Sequence, residues 1–225
     1  ALKLFKDIGD KLGEANVLQA MGDVQQFRDE LDAALKNYEQ ALKLFKEIGD
    51  KLGEANVLQA MGDVQQFRKD MDAALKSYEQ ALNLFRAVGD KLGEANVLQA
   101  IGDVQQFRDE RDAALKSYEQ ALNLFRAVGD KLGEANVLAA KSRLALANGD
   151  LKTAEKNFTE VIAMRRAIGD VYSEGADYGN FAIALLNAGE KVKAKEYALK
   201  AKTIFEKINL PAVVEMMKQV IAACD

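Results

Sequence analysis

Apolar residues recur along this chain at steps of three and four, the spacing of one face of an α-helix. Two such stretches follow each other closely, here named helix A and helix B. Helix A runs from Lys51 to about Phe67, and a short polar turn around residues 68–70 separates it from helix B. The apolar side of helix B carries Met71, Ala74, Leu75, Tyr78, Ala81, Leu82, Phe85 and Val88. Since no β-rich alternating stretch occurs, the pattern predicts an all-α protein made of helix hairpins.

The boundary between helix B and the next helix A is marked by the pair Gly49-Asp50. Glycine just past a helix end adopts the left-handed conformation that closes the helix. Aspartate can then accept a hydrogen bond from the first free N–H groups of the next helix. The pair therefore predicts a tight B–A turn.

This pattern repeats with a period of forty residues. Residues 1–40, 41–80 and 81–120 align without a gap, with 35 of 40 residues identical between the first two blocks and 32 of 40 between the second and third. A fixed period of this size predicts a stacked array of one helical unit, and arrays of this kind usually bind other proteins.

The remaining chain diverges but keeps the same frame. We divide the single array into a half repeat (1–9), near-identical repeats (10–130), divergent repeats (131–209) and a C-terminal capping helix (210–225). The last helix should begin at Pro211, because proline is favoured in the first turn. As the chain opens inside a repeat, we expect it to be a piece of a longer protein.

Small residues connect the hairpin to a known family. Gly62, Ala74 and Ala81 stand where neighbouring helices would approach closely. Together with the large residues Leu58, Met61, Tyr78 and Leu82, they resemble the tetratricopeptide repeat. The commonest repeat of that family has 34 residues, and here six more extend helix B and the B–A turn. The string Ala-Val-Gly-Asp-Lys-Leu-Gly-Glu-Ala (87–95, 127–135) is similar to the longer repeats of Pins-type scaffolds, and related repeats occur in bacterial signalling proteins.

The resemblance implies a right-handed α-solenoid of antiparallel helix hairpins that acts as a protein–protein scaffold or adaptor. HEAT repeats share the forty-residue period but lack this glycine and alanine pattern. The resemblance covers nearly the whole chain and is specific for fold, whereas repeats of this kind host many partners.

Composition narrows the class of partner. The chain has 225 residues, is 49% hydrophobic and 29% charged, and carries a formal net charge of -4. This weakly acidic balance favours neither nucleic acid nor an anionic membrane surface. A single cysteine, Cys224, fits a reducing compartment, so we expect a cytoplasmic protein with a protein or peptide partner.

Signals for chemistry are weak. The chain has no histidine, the commonest general base and metal ligand. The glycines do not form a phosphate-binding loop, and the acidic clusters lack the spacing of a calcium loop. We therefore expect no enzyme activity, cofactor or metal. Phe27, Phe67 and Phe107 each precede an arginine, which could indicate base stacking. We predict instead that these three rings lie in the core.

In tetratricopeptide arrays the A helices line the concave face, and this resemblance locates the predicted partner-binding residues. Amides could pair with the backbone of an extended peptide, and carboxylates would favour a basic or polar segment. Four predicted residues recur in each of the first three repeats, and the next block adds two more: Asn16, Gln19, Asp23, Gln26, Asn56, Gln59, Asp63, Gln66, Asn96, Gln99, Asp103, Gln106, Asn136 and Arg143. The alternative is a solvated polar face that duplication copied with everything else.

The same face departs from the family's carboxylate clamp, which grips chaperone C-termini. Ala20, Ala60 and Ala100 stand where the clamp needs a second asparagine, and basic residues are missing from this stripe until Arg143. Towards the C-terminus the stripe becomes apolar. It could bind an amphipathic helix, but we expect the helix from Pro211 to pack there or on its neighbours. The apolar residues are Ala139, Leu146, Ala176, Ile183 and Leu186.

A second hypothesis is self-assembly. The helix predicted within Ala1–Gly9 lacks its A helix, so its apolar side chains are covered on one side only. The first three A–B turns contain neither glycine nor proline, and each could run on as continuous helix. An opened hairpin could pair with a second copy by domain swapping. The alternative is a tight turn at residues 28–30, 68–70 and 108–110.

Overall fold

The computed structural model describes residues 1–225 and contains twelve α-helices and no strand, which confirms the predicted all-α class. The helices are α1 (Leu2–Ile8), α2 (Lys11–Phe27), α3 (Leu31–Ile48), α4 (Lys51–Phe67), α5 (Met71–Val88), α6 (Lys91–Phe107), α7 (Arg111–Val128), α8 (Lys131–Ala147), α9 (Leu151–Ile168), α10 (Val171–Asn187), α11 (Lys191–Lys207) and α12 (Pro211–Ala223). The even-numbered helices α2 to α10 are A helices, and the odd-numbered helices are B helices.

The chain divides into two compact units, Ala1–Leu124 and Phe125–Asp225. In the first, α2 packs on α3 and α4 on α5, while α2 also touches α4 and α4 touches α6. Val57 and Val64 of α4 are buried with the core of the preceding hairpin, next to Tyr38 and Phe45. Each hairpin thus completes the core of the one before it, as expected of a stacked array.

The second unit has a core rich in aromatic rings. Phe158 stacks on Phe181 at 4.2 Å between ring centroids, and Tyr178 stacks on Tyr197 at 5.9 Å. The terminal helix α12 packs on α10 and α11 and buries Met217. Ile183 and Leu186 pack against the same cluster as α12, so α12 does pack on the neighbours of the apolar stripe, as predicted. No helix in the chain combines the length and the apolar character needed to cross a membrane.

Glycines let the helices approach closely at two points of each near-identical repeat. A Cβ added to Gly62 would lie 2.5 Å from Cε1 of Tyr78 within the hairpin, and one added to Gly53 would lie 2.4 Å from Cδ1 of Phe45 in the preceding B helix. Atoms at such distances overlap. The family resemblance identified Gly62, whereas the role of Gly53 was not predicted.

Both types of turn are tight. At the B–A turn, Asp50 accepts a hydrogen bond from the N–H of Gly53 at 3.0 Å, which is the predicted N-cap. At the A–B turn, the chain reverses through one residue with positive φ: Asp29 (59°), Lys69 (62°) and Asp109 (59°) in the first three hairpins. The N–H of Asp70 closes the turn on the carbonyl of Gln65 at 2.9 Å. The A–B hairpin is therefore closed. The chain does not run through this turn as one continuous helix, the alternative that its residues left open.

The positive φ at Lys69 predicts a simple stabilising change. A left-handed conformation costs a residue with a Cβ about 1–2 kcal/mol, and the divergent hairpins have Gly149 and Gly189 at the same place. We expect Lys69→Gly to raise the free energy of unfolding by about 1 kcal/mol, measured by urea denaturation. The reverse variant Gly149→Lys should lose a similar amount, and equal midpoints for Lys69→Gly and the wild type would contradict this account.

Candidate partner-binding face

The predicted partner-binding residues lie on the A helices, but they fall into two groups with different surroundings. One group is hydrogen-bonded inside its own hairpin, and the other is open to solvent.

The first group consists of the aspartate and the last glutamine of α2, α4 and α6. The hydroxyl of Tyr78 lies 2.7 Å from Oδ1 of Asp63, to which it donates, and 2.9 Å from Oε1 of Gln66. The same arrangement holds for Tyr38 and Tyr118, whose partners are Asp23 with Gln26 and Asp103 with Gln106, at 2.7–2.9 Å. The three tyrosines are fully buried. These carboxylates and amides therefore provide the polar partners that a buried hydroxyl needs. This structural role explains their presence without any ligand.

Burial changes the electrostatics of Asp63 and its partner Tyr78. It raises the pKa of the Asp63 carboxyl, although the hydrogen bond from Tyr78 acts in the opposite direction. The pKa of the Tyr78 hydroxyl is also raised, first by burial and then by the nearby charge of Asp63. Because the carboxylate is desolvated and already bonded, it attracts a basic ligand less than an exposed aspartate would.

The second group, here named the amide ladder, consists of the asparagines and first glutamines of α2, α4 and α6. Asn16, Asn56 and Asn96 are exposed, and no hydrogen bond within the chain occupies their amides. Gln19, Gln59 and Gln99 are half-buried beside them, one turn further along each helix. Because α2 touches α4 and α4 touches α6, the structure arranges these amides in successive rows on one face of the first unit.

In the divergent hairpins the face is occupied differently. Oδ1 of Asn136, which continues the asparagine series, accepts a hydrogen bond from Nη2 of Arg165 at 2.6 Å. Nε of Arg165 also donates to Oδ2 of Asp177 at 2.8 Å, and Arg165 is 3% exposed. Burial raises the pKa of Asp177 despite the opposing charges of Arg165 and Arg143. Arg143 is half-buried on α8. Sequence reasoning missed Arg165 and Asp177, although both replace apolar residues of the repeat.

The phenylalanines beside the turns are not in the core, and the prediction for them is wrong. Phe27, Phe67 and Phe107 are 91%, 66% and 62% exposed. Each is the last residue of its A helix, where the chain turns away and leaves no neighbouring helix to cover the ring. The divergent α8 ends in Ala147, so the fold does not require a large side chain there.

Comparison with known proteins agrees with this architecture. The family model for the tetratricopeptide repeat matches residues 14–87, 53–127 and 107–167. No curated protein sequence shows significant similarity to the chain. Among solved structures, the STAND-class signal transduction ATPase with a tetratricopeptide repeat sensor from Pyrococcus horikoshii has a TM-score of 0.80 and 17% identity. That similarity covers 99% of this chain and 34% of that chain.

Two further structures are similar. The nearly identical TPR-like repeats of a putative kinesin light chain from P. anserina have a TM-score of 0.71 and 13% identity, covering 88% of this chain and 97% of that chain. A Rap protein complexed with competence and sporulation factor has a TM-score of 0.77 and 14% identity, covering 95% and 62%. At these identities the likeness concerns the fold alone, and this chain spans only part of the ATPase and of the Rap protein. With hairpins of this geometry and a family model that matches most of its length, the chain belongs to the tetratricopeptide repeat family.

Proposed function

We propose that this chain is a non-catalytic, cytoplasmic scaffold or adaptor whose A-helix face binds an extended segment of another protein. The observation that carries the proposal is the amide ladder: Asn16, Asn56 and Asn96 are exposed and without partners in three successive A helices. An amide offers both a donor and an acceptor, so each can pair with the backbone of an extended peptide. The solved Rap protein complexed with competence and sporulation factor gives a protein of this fold with a bound partner, which supports a binding role.

The two groups of predicted residues have different roles in this proposal. The amide ladder makes the contacts with the partner. Asp23, Asp63 and Asp103, together with Gln26, Gln66 and Gln106, hold the buried tyrosines and keep the A helix in place. We infer that their replacement would reduce binding through the fold rather than through lost contacts. Asn136, which accepts a hydrogen bond from the buried Arg165, and Arg143 are the predicted residues of the second unit.

A selected peptide and a matched pair of triple variants test the proposal. Peptides chosen from a random library on the wild-type chain are measured by fluorescence anisotropy against Asn16/Asn56/Asn96→Ala. Each lost hydrogen bond costs about 0.5–1.5 kcal/mol, so the triple variant should bind about tenfold to a thousandfold more weakly. Lys36/Lys76/Lys116→Ala changes three exposed residues of the B helices and should bind normally. Equal affinity of the wild type and the asparagine variant would contradict the proposal.

One observation favours a second function, self-assembly through the first hairpin. Val24 is 51% exposed, whereas Val64, in the identical sequence of α4, is fully buried on the preceding hairpin. An open apolar cavity of about 450 Å³ lies at this place and is lined by Val17, Met21 and Val24. Light-scattering mass across a concentration series tests this alternative. A dimer that Val17→Lys and Val24→Lys together dissociate would support it, and a constant monomer mass would exclude it.

A further inference from the structure

A second candidate site lies within the second unit, whereas the amide ladder belongs to the first. An open cavity of about 750 Å³ lies between α9, α10 and α11. Its apolar surface is formed by Val171 and Tyr178 of α10 and by Leu199 and Ile204 of α11. Val171 and Leu199 are 45% and 47% exposed, so water covers apolar surface here that a partner could cover instead.

Basic side chains surround this apolar surface. Arg166, Lys200 and Lys207 line the cavity together with a single acid, Glu174. Glu174 is already paired, since Nε of Arg166 lies 2.8 Å from its Oε1. Lys207 has no ion pair within the chain. The cavity therefore presents an excess of positive charge, in a chain whose net charge is -4.

Lys200 lies at the centre of the groove. Its Nζ sits 4.8 Å from the ring centroid of Tyr197 and 5.7 Å from that of Tyr178. A smaller cavity of about 270 Å³ shares Lys200, Tyr178 and Arg166 with the larger one and extends to Tyr197. The two cavities form one groove, here named the basic groove, that follows α11 from Tyr197 to Lys207, roughly 15 Å along the helix. Glu196 also pairs with Lys200, at 2.6 Å, from the exposed side.

The repeat itself supplies a control for this charge. Forty residues earlier, Glu160 stands in the place of Lys200 and Ala167 in the place of Lys207. Arg126 is the counterpart of Arg166, and its Nη2 lies 3.5 Å from Glu160. At the corresponding surface the charge of the arginine is therefore balanced by a glutamate. The basic groove replaces that acid with a lysine and adds another lysine. One position that lines the cavity thus changes from negative to positive and a second from neutral to positive, so both changes add positive charge to the same cavity.

The helix that forms one wall of the groove is basic as a whole. Helix α11 contains six lysines and two glutamates, whereas the earlier B helix α5 contains two basic and two acidic residues. Opposite charges steer association and exclude wrong partners, while apolar contacts at the centre of an interface supply affinity. A ligand that fits must therefore offer carboxylates at its edges and apolar side chains between them.

We propose that the basic groove binds an acidic protein segment with interspersed apolar side chains. Its apolar residues cover Tyr178, Leu199 and Ile204, and its carboxylates pair with Lys200 and Lys207. Such a segment would need about ten residues as a helix, or four to five in extended form, to follow the groove. The site is distinct from the amide ladder, so either proposal can fail without the other.

The experiment uses the whole chain and a fluorescein-labelled probe peptide of about 12 residues, in which pairs of glutamates alternate with leucine or phenylalanine. The critical variant is Lys200→Glu with Lys207→Ala, which restores the residues found forty positions earlier. We expect it to weaken binding about tenfold or more. Wild-type binding should also weaken as salt rises from 0.05 to 0.5 M, by about the same order.

Controls separate this site from general charge. Lys36→Glu with Lys76→Ala makes the same charge change on exposed B-helix positions of the first unit and should leave binding unchanged. A probe with lysine in place of glutamate should not bind. The proposal is overturned if the acidic probe does not bind at millimolar concentration, if both double variants weaken it equally, or if the groove variant binds as the wild type does. Binding to anionic lipid vesicles in preference to the peptide would also overturn it.

Discussion

Replacing Asp177 with valine alone is expected to destabilise the second unit by about 3–5 kcal/mol, because it leaves the charge of Arg165 buried without its partner. Arg165 is almost completely enclosed, and its Nε donates to Asp177 at 2.8 Å. Its Nη1 already has no hydrogen-bond partner and lies 3.6 Å from Asp170. Asp170 accepts from Ser173 as the N-cap of α10, so it is poorly placed to replace the lost carboxylate.

The repeat shows what this ion pair replaced. The positions of Arg165 in earlier repeats hold Phe45, Phe85 and Phe125, and those of Asp177 hold Val57, Val97 and Val137, all essentially inaccessible to solvent. Two apolar residues have thus become a charged pair at the same place in the core. An apolar pair of similar volume generally matches or exceeds a buried ion pair in stability.

The double variant Arg165→Phe with Asp177→Val should therefore recover the loss and could exceed the wild type by about 1–4 kcal/mol. Because repeat arrays need not unfold in one step, urea midpoints are best combined with hydrogen exchange of amides in α9 and α10. Recovery in the double variant, together with loss in Asp177→Val, is the expected pattern. If the change in stability of the double variant equals the sum of the changes in Arg165→Phe and Asp177→Val, the ion pair has no stabilising role.

Replacing Gly62 with alanine is expected to destabilise the first unit by about 1–3 kcal/mol, the usual cost of overpacking. The added methyl would lie 2.5 Å from Cε1 and 2.6 Å from Cδ1 of Tyr78. The ring cannot move easily, because it is fully buried and its hydroxyl is held by Asp63 and Gln66. In an exposed helix the same substitution would stabilise the protein by about 1 kcal/mol. A loss of stability in Gly62→Ala would therefore come from the clash with Tyr78.

Gly179 provides the matched control for this prediction. A methyl there would lie 3.2 Å from Sδ of Met217, and methionine is flexible enough to adjust. We expect Gly179→Ala to be neutral or stabilising in the same urea experiment. A similar loss in both variants would show that the effect comes from the helix backbone and not from the contact with Tyr78.

Several features of the fold could be read from the sequence because they depend on local pattern. The bounds of α4 and α5 follow from apolar spacing, and the turn at Gly49-Asp50 follows from backbone conformation and capping. Because the sequence repeats every forty residues, the structure predicted for one hairpin applies to all three near-identical hairpins. Family membership followed from small residues such as Gly62, whose close contact with Tyr78 the structure displays.

Other features depended on which side chains meet across helices. Spacing places Asn56 and Asp63 on one side of α4 but does not show that Tyr78, fifteen residues after Asp63, reaches back to bind it. Phe67 is large and apolar, as core residues usually are, yet α4 ends before any neighbouring helix can cover its ring. The left-handed turn at Lys69 is imposed by packing of the two helices, since the residue itself disfavours that conformation.

The sequence by itself thus determined the helices, the B–A turns, the period and the family, because these follow from local conformational preference and hydrophobic periodicity. Only the tertiary structure decided which polar side chains face solvent and which are hydrogen-bonded or ion-paired inside the fold. It assigned the aspartates to buried tyrosines, the asparagines to the open surface, and Arg165 with Asp177 to the core. Such assignments depend on contacts between residues distant in the chain, and satisfaction of buried polar groups selects them.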